Sequence, residues 1–342
     1  MKAIASNDHL GHAPDFELFP GGVGENFEKP ERAQIVLDSF QAAELGPVID
    51  PHAFDESAIL AVHDSGYYEF LCNAHEEWCR EGGEGSPIPC LWPLPGMRAN
   101  KPEAFVARLG RYFFDGTVPI TKGTADAVRM SANIALTATE TVIAGDRAAF
   151  ALCRPPGHHA GSDFGGGYCF LNNAAISAQW LLNSGASRVA ILDVDYHHGN
   201  GTQEIFYSRS DVFFASIHGD PLDEYPYYLG YSDEVGSGKG EGFNLNIPLA
   251  KGTTFEKWQA ALSHCIKKIS DYGADSLVVS LGLDTFCNDP ISSFKLESED
   301  YFKVGEVLAS LDIPTVLVFE GGYAVGDLGT NTANVLTGFE NR

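Results

Sequence analysis

The sequence predicts an α/β fold, with a mostly parallel central sheet flanked by helices in one domain over residues 1–342. Short apolar runs rich in β-branched residues alternate with longer amphipathic stretches, as in parallel sheets covered by helices on both faces. Polar residues follow these runs, where open α/β sheets bind ligands. The length fits two ordinary domains or one large domain, and the continuous alternation favours one.

Five runs are apolar throughout, which predicts strands buried on both faces. They are 148–153, 188–195, 211–218, 276–284 and 314–320. Amphipathic stretches predict helices at 30–45, 63–78, 123–145, 172–185, 253–273 and 298–311. Residues 80–105 are rich in Gly and Pro and have neither period, so we expect a long insertion loop that acts as an interface element or stays flexible.

The composition is that of a folded acidic protein. The sequence has 22 Lys and Arg residues and 46 Asp and Glu residues, which gives a net charge of −24. This charge argues against binding to nucleic acid, which requires basic side chains. It is compatible with a merely well-solvated surface or with attraction of a cationic ligand.

The cysteines indicate a reducing compartment. The sequence has 7 of them, scattered and without a CxxC pair, so neither a disulfide framework nor a cysteine zinc site is indicated. The first residues lack the apolar core of a secretory signal, and no run reaches the ~18 apolar residues of a membrane span. We therefore expect a cytoplasmic protein that does not enter a membrane.

A metal site is predicted after the second of the five apolar runs. Strand alternation would place Asp193, Asp195 and His197 on one face and His198 on the other. Asp195 and His197 can offer an oxygen and a nitrogen to one ion. Asp284, at the end of another strand, would complete a set with an open position, as in catalytic zinc sites. A solvated turn or a buried polar cluster is the alternative for this motif alone.

Two histidines and a tyrosine are candidates for the chemistry beside that ion. Two carboxylates neutralise a dication, so a separate base is needed, and His158 and His159 follow a predicted strand in a Pro/Gly turn. Asp193 and Asn200 are candidates for fixing their tautomers. Tyr323, after two glycines, is a candidate donor to an oxyanion, or else an ordinary buried tyrosine. Together these groups describe amide hydrolysis by activated water.

A narrow pocket is predicted at residues 165–170, where three glycines let the backbone approach a thin ligand. Tyr168 is expected to form one wall, and Tyr225 or another residue of DEYPYY at 223–228 the opposite wall. Core packing is the alternative for both aromatic residues. The glycine run has neither the dinucleotide-binding spacing nor a Walker lysine, so binding of NAD or ATP is not indicated.

The motifs RPPGHHA, GYCFLNN, DVDYHHGNGTQ, SxGxD at 280–284 and EGGY occur in this order through about 148–326. Such a series resembles the zinc-dependent deacetylase superfamily that includes the histone deacetylases. FEKPER at 27–32 is a looser match to a further motif. The chain length and the insertion at 80–105 are most similar to bacterial acetylpolyamine amidohydrolases.

The resemblance implies the arginase-deacetylase fold, with about eight strands, and assigns roles to the candidates. It implies zinc ligands at Asp195, His197 and Asp284, a general base and acid at His159, an electrostatic partner at His158, and a carbonyl-polarising hydroxyl at Tyr323. It implies tunnel positions at Gly167, Tyr168 and Ile291, and a structural potassium site at Asp193 and Ser216 with the backbone carbonyls of Asp195 and His197. Asn200 stands where many histone deacetylases have Asp.

The resemblance also implies the substrate and the partners. The expected substrates are N-acetylated polyamines such as acetylputrescine, acetylcadaverine and acetylspermidine, and the alternative is acetyllysine in proteins. Homodimerisation through the insertion is expected. Glu17 is the candidate for binding a substrate ammonium, with Asp15 as its rival. A two-metal arginase-like enzyme and a binding protein without activity are less favoured.

Overall fold

The central feature of the fold is a sheet of eight strands. The computed structural model describes residues 1–19, 21–94, 96–97 and 102–342. The strands are β1 (Lys2–Ile4), β2 (Glu17–Phe19), β3 (Gly22–Gly24), β4 (Val48–Ile49), β5 (Ala148–Ala151), β6 (Val189–Asp193), β7 (Val212–Gly219), β8 (Asn244–Leu249), β9 (Ser276–Leu281) and β10 (Thr315–Phe319). The sheet order is β4-β1-β5-β10-β9-β6-β7-β8, and β2 and β3 form a separate hairpin.

Helices cover both faces of this sheet. They are α1 (Glu31–Ala42), α2 (Ser57–Leu60), α3 (Ser65–Arg80), α4 (Phe105–Tyr112), α5 (Thr124–Ile143), α6 (Asn173–Asn183), α7 (Asn200–Phe206), α8 (Phe255–Tyr272), α9 (Asp300–Ala309) and α10 (Val325–Glu340). Apolar residues of α1, α8, α9 and α10 pack on one face, and those of α5, α6 and α7 pack on the other. A third apolar cluster joins α3, α4 and α5.

The predicted fold class is confirmed, because neighbouring strands of the sheet pair in parallel. The five predicted strands correspond to β5, β10, β9, β6 and β7, which are contiguous in the centre of the sheet. The prediction missed the edge strands β4 and β8 and the strand β1, which lies next to β4. Strands β1 and β4 have three and two residues, and β8 has partly exposed positions, so none is an apolar run.

Two predicted boundaries are wrong in a way that matters for the site. Strand β6 ends at Asp193 and β9 ends at Leu281, so the predicted strand ends at 195 and 284 lie in loops. Backbone amides there bond to carboxylates, since Asp193 Oδ1 accepts from the amide of Asp195 and Asp195 Oδ1 from that of His197. The alternation of a strand therefore does not set the direction of Asp195 and His197.

Helix α10 was not predicted from the sequence. It is rich in Gly, Thr and Asn, which are poor helix formers. It is stabilised instead by close packing against α9. A side chain at Gly305 would collide with the Val335 carbonyl, and a side chain at Gly338 would collide with the Phe302 carbonyl. Small residues thus allow the two helix backbones to approach closely.

The segment 80–105 joins α3 to α4. Among its described residues, those between Arg80 and Phe105 form neither a helix nor a strand, while residues 95 and 98–101 lie outside the described residues. The Trp92 Nε1 donates to the carbonyl of Phe113 over 2.8 Å, whereas Leu91, Leu94 and Met97 are exposed. None of the helices in the described part of the chain has an apolar stretch long enough to cross a bilayer.

Candidate active site

The site forms where the central strands end. The loops after β5, β6, β9 and β10 carry the candidate residues, and these strands are neighbours in the order β5-β10-β9-β6. Since carboxyl ends of parallel strands share one edge of the sheet, the loops converge there. They bring together His158, His159, Asp195, His197, Asp284 and Tyr323, all of them buried.

Three of these side chains form a possible metal-binding group. The ligand atoms of Asp195, His197 and Asp284 lie within 4.8 Å of one another. His197 Nδ1 lies 3.0 Å from Asp284 Oδ2 and 3.4 Å from Asp195 Oδ1. Zinc bonds of about 2.0–2.2 Å to nitrogen and oxygen place neighbouring tetrahedral ligands at similar separations. The donor set therefore fits a zinc ion.

Backbone amides hold the two carboxylates of this group. The amide of Gly321 donates to Asp195 Oδ2 over 2.9 Å, and the amide of Tyr196 donates to Asp284 Oδ1 over 2.7 Å. Each carboxylate is thereby oriented before any ion binds, which is the usual role of such outer hydrogen bonds at metal sites.

The charge of the group also favours a cation. Burial and the neighbouring Asp195 raise the pKa of Asp284 to about 8. Burial opposes protonation of His197, but the carboxylates of Asp195 and Asp284 raise its pKa to about 10. Two buried carboxylates thus attract positive charge, which a divalent ion can supply.

The two neighbouring histidines have different partners. His158 Nδ1 donates to Asp193 Oδ2 over 3.0 Å, and His159 Nδ1 donates to Asn200 Oδ1 over 2.7 Å. The amide group of Asn200 donates back to the His159 carbonyl over 3.4 Å, which orients its oxygen toward the ring. Both Nε2 atoms are therefore left for other partners, and both rings line the pocket described below.

These partners separate the protonation states of the pair. Burial disfavours the charged form of His158, yet the carboxylates of Asp195 and Asp193 raise its pKa to about 10. Burial and the charge of His158 hold the pKa of His159 well below its ordinary value. The carboxylates around the pair therefore favour a proton on His158 over a proton on His159.

Tyr323 is held from two sides. Its amide donates to Asp289 Oδ2 over 2.7 Å, and the Arg32 guanidinium lies 4.6 Å from the centre of its ring. Burial raises the pKa of the Tyr323 hydroxyl well above its ordinary value, so the group stays protonated at neutral pH. A protonated hydroxyl can donate a hydrogen bond to a developing oxyanion, which an ionised phenolate could not do.

A pocket of about 260 Å³ leads to these groups. The predicted wall residues all line it, namely Gly167, Tyr168, Tyr225 and Ile291. Glu17 lines the same pocket. The buried Glu17 Oε1 accepts from the Tyr168 hydroxyl over 2.5 Å. Asp15, the rival candidate, is exposed and is not among the lining residues.

The two side chains that the resemblance implies for a potassium site lie on neighbouring strands. Asp193 and Ser216 are register partners on β6 and β7. Ser216 Oγ also lies 2.8 Å from His218 Nδ1. His198 turns away from the metal-binding group, and its Nε2 lies 3.1 Å from Gln203 Oε1.

Sequence reasoning missed several residues of the site. Glu320 Oε2 accepts from the amides of Gly157 and His158 over 2.6 and 3.2 Å, and Asp289 holds Tyr323. Asp115 accepts from the hydroxyl of Tyr225, which lies 110 positions away. The EGGY motif and the NDP triplet at 288–290 contained Glu320 and Asp289 as local signals, whereas Asp115 had none.

Comparison with known proteins decides the family. The family model described as Histone deacetylase domain matches residues 26–339. The chain belongs to the histone deacetylase family. As a member of this family, the protein is a deacetylase. Members of the family are typically zinc-dependent.

Several members of the histone deacetylase family are similar to it over the full length. It is 52% identical over 340 residues to acetylpolyamine amidohydrolase 2 of Pseudomonas aeruginosa, covering 99% of each chain. It is 45% identical over 338 residues to the acetylpolyamine amidohydrolase of Mycoplana ramosa, again covering 99% of each. The crystal structure of acetylpolyamine aminohydrolase from Burkholderia pseudomallei matches with a TM-score of 0.94 and 37% identity, covering 99% of this chain and 98% of that one.

Proposed function

We propose that this deacetylase hydrolyses N-acetylated polyamines such as acetylputrescine, acetylcadaverine and acetylspermidine to free amine and acetate. The observation that carries the proposal is the position of Glu17, a buried carboxylate in the wall of the same narrow pocket that His159 lines. A cavity of about 260 Å³ lies below the range of about 300–1,000 Å³ for drug-sized ligands, so it suits a thin chain. The names of its full-length relatives support the same substrate class.

Asp195, His197 and Asp284 would hold a zinc ion in this reaction. When bound, zinc acts as a Lewis acid toward water and toward the amide carbonyl. Three protein ligands leave an open position, as catalytic rather than structural sites require.

His159 acts as the general base and then as the general acid. Its Nδ1 proton is held by Asn200, so the lone pair on Nε2 accepts a proton from the attacking water. The same Nε2 then donates that proton to the nitrogen of the departing amine. His158, whose Nδ1 donates to Asp193, lies beside His159, and a proton held there would oppose a lasting charge on His159 and so favour this return of the proton.

Tyr323 stabilises the charge that develops on the carbonyl oxygen. Its hydroxyl stays protonated and lies in the wall of the pocket. A hydroxyl positioned before the reaction stabilises the oxyanion without reorganisation, and removal of such a donor costs about 10²–10³ in kcat. Asp289 and Arg32 position this tyrosine.

The walls of the pocket select the alkyl chain of the substrate. Tyr168 and Tyr225 present rings, while Gly167 and Ile291 complete the lining. Glu17 accepts the free ammonium of the polyamine, and aromatic faces also attract alkylammonium ions. The net charge of −24 attracts such cations from solution.

A second cation and a second copy of the chain complete the proposal. Asp193 and Ser216, with the backbone carbonyls of Asp195 and His197, would hold a structural potassium ion, which the pairing of β6 with β7 supports. The insertion at 80–105 would form a homodimer interface, which the exposed Leu91, Leu94 and Met97 support. Size-exclusion chromatography with light scattering tests the dimer, since Leu91→Asp would then yield monomers.

The cytoplasm is the proposed location of the enzyme. All 7 cysteines are free thiols, as expected in a reducing compartment.

Steady-state hydrolysis of acetylcadaverine and acetylspermidine, compared with an acetyllysine peptide, tests the substrate class. The zinc-reconstituted protein should prefer the small amines, and a chelator should abolish the turnover. Preference for the peptide would show that the pocket mouth admits a bulky chain and would make the protein a protein deacetylase.

A further inference from the structure

The carboxylate of Asp115 lies between the two aromatic walls of the pocket. The Tyr225 hydroxyl donates to Asp115 Oδ2 over 2.5 Å, and the backbone amide of Gly167 donates to the same oxygen over 3.1 Å. Gly167 precedes Tyr168, which forms the opposite wall. One oxygen atom therefore connects both walls.

The second oxygen of Asp115 anchors it to its own turn. Asp115 Oδ1 accepts from the amide of Thr117 over 3.0 Å and from its hydroxyl over 2.8 Å. A carboxylate offers about four acceptor sites, and these four protein donors occupy Asp115. Its orientation is thereby fixed, and its hydrogen-bonding capacity is used within the protein.

The wall that contains Tyr168 depends on such bonds. Gly167 has a φ of +54° and Tyr168 has a φ of +66°, a left-handed conformation that is rare for a tyrosine and persists only when its surroundings hold it. Two backbone bonds between Gly166 and Cys169 close this turn. Side chains from outside it add two more bonds, from Asp115 to the Gly167 amide and from Thr117, whose hydroxyl accepts from the Tyr168 amide over 3.3 Å. A side chain at Gly167 would collide with the imidazole of His159, so the turn lies directly against the proposed base.

The opposite wall is held against the same base. The ring of Tyr225 lies 5.1 Å from that of His159, and the ring of Phe114 stacks on Tyr225 at 6.1 Å. Phe114 directly precedes Asp115 in the chain. The segment 114–117 therefore supports Tyr225 both through ring stacking and through the hydrogen bond to its hydroxyl.

We propose that Asp115 is a positioning residue that sets the width of the pocket by tying the Tyr168 wall to the Tyr225 wall. A fixed width admits unbranched chains, excludes branched ones, and holds the amide beside His159. Asp115 contacts none of the reacting groups itself. The inference rests on the proposed function in that the substrates are taken to be acetylated amines.

A pair of substrates that differ by one branch tests this role. Acetylcadaverine and the amide of Nε-acetyllysine share a five-carbon chain, and the second carries a carboxamide branch at its far end. With Asp115→Ala we expect kcat/KM for acetylcadaverine to fall by about 10–100-fold, the loss caused by a small misplacement of the substrate. The preference for the linear substrate over the branched one should fall by at least tenfold, because the branched amine gains room.

Tyr225→Phe provides a second variant that preserves the ring and the fold. Loss of one hydrogen bond predicts an about two- to tenfold lower preference for the linear substrate, carried mainly by KM. In the Asp115→Ala background the same substitution should have no further effect, because the bond is already absent. Asp115→Asn keeps part of the acceptor capacity and should restore part of the preference.

Asp163→Asn is the matched control. Asp163 is a partly exposed acid near the same loop, and it pairs with Arg111 at 3.0 Å. It should leave the substrate preference unchanged. Hydrogen exchange at the Gly167 amide gives a readout besides activity and should accelerate in Asp115→Ala. Unchanged preference and unchanged exchange in that variant would overturn the role of Asp115, whereas a wild-type protein that hydrolyses neither amine would overturn the proposed function instead.

Discussion

His159 donates from Nδ1 to Asn200 Oδ1 over 2.7 Å, and this bond selects the tautomer in which Nε2 is free to accept a proton. The Asn200 side chain is itself oriented by its bond to the His159 carbonyl. Because this partner is a neutral amide, His159 gains direction from it without gaining a compensating charge.

Replacing Asn200 tests this orientation. We expect Asn200→Ala to lower kcat by about 10–100-fold, because a misoriented base loses part of the roughly 10²–10⁴-fold that general acid–base catalysis contributes. Asn200→Asp retains an acceptor and adds a negative charge, so it should keep most of the activity. It should also raise the pKa of His159 and thereby shift the acidic limb of the pH–rate profile to higher pH. A wild-type rate in Asn200→Ala would contradict the assignment of His159 as the oriented base.

Removing the Tyr323 hydroxyl tests the oxyanion donor. Tyr323→Phe should lower kcat by about 10²–10³, while the ring keeps its contact with Arg32. Zinc content by atomic emission and the melting temperature should match those of the wild-type protein. Full turnover by a zinc-loaded Tyr323→Phe enzyme would exclude this role.

Removing one carboxylate tests the metal-binding group. Asp284→Asn removes one of two negative charges beside His197, so we expect less bound zinc after dialysis and the loss of most turnover. Asp163 is a partly exposed acid outside the site, so Asp163→Asn should bind as much zinc as the wild-type protein. Stoichiometric zinc in both variants would show that the ion is held elsewhere.

The pH dependence of substrate binding tests Glu17. Burial raises its pKa to about 7, although bonds from Tyr168 and the Phe27 amide oppose this shift. Below about pH 7 the carboxyl is neutral, so attraction of an ammonium is lost as the pH falls through this value. The ratio of kcat/KM for acetylcadaverine to that for uncharged N-acetylpentylamine should therefore decrease on acidification.

Glu17→Gln provides the comparison for that experiment. The ratio should be low in this variant and constant with pH, while changes at His159 affect both substrates alike and cancel in the ratio. A ratio that varies equally in the two proteins would assign the ammonium site to another group.

Substitution of Glu28 tests two buried ion pairs, one of which involves the Arg32 guanidinium that lies over the Tyr323 ring. The buried Glu28 bonds to Arg32 over 2.9 Å and to Arg154 over 2.8 Å. Although burial opposes it, these guanidinium groups hold the pKa of Glu28 below its ordinary value. Glu28→Gln leaves two buried cations without this counter-charge and should lower the free energy of unfolding by about 3–5 kcal/mol.

The sign of the pH effect follows from the lowered pKa of Glu28. Its stabilisation is complete above the ordinary carboxyl pKa of about 4.3 and is lost as the pH falls toward the folded-state value. Urea denaturation at several pH values measures both effects. Glu25→Gln is the control, because Glu25 is exposed and pairs with Lys29 at the surface, and it should produce no measurable change.

The sequence by itself determined the central strands and the reactive residues that follow them. Strands β5, β6, β7, β9 and β10 were predictable because a strand buried on both faces requires a continuous apolar run, which is a local property. The polar residues after each run could be assigned to one edge because parallel strands place their carboxyl ends together. His158, Asp195 and Asp284 were identified in this way.

Tertiary structure alone decided the edge strands, helix α10 and the residues that support the site. Helix α10 depends on close backbone contact with α9 at Gly305 and Gly338, which no local propensity reveals. Asp115 meets Tyr225 from 110 positions away, and Glu28 meets Arg154 from 126 positions away. Hydrogen-bond partners at such separations are chosen by the packing of the chain, so their identity enters only when the folded structure brings them within reach.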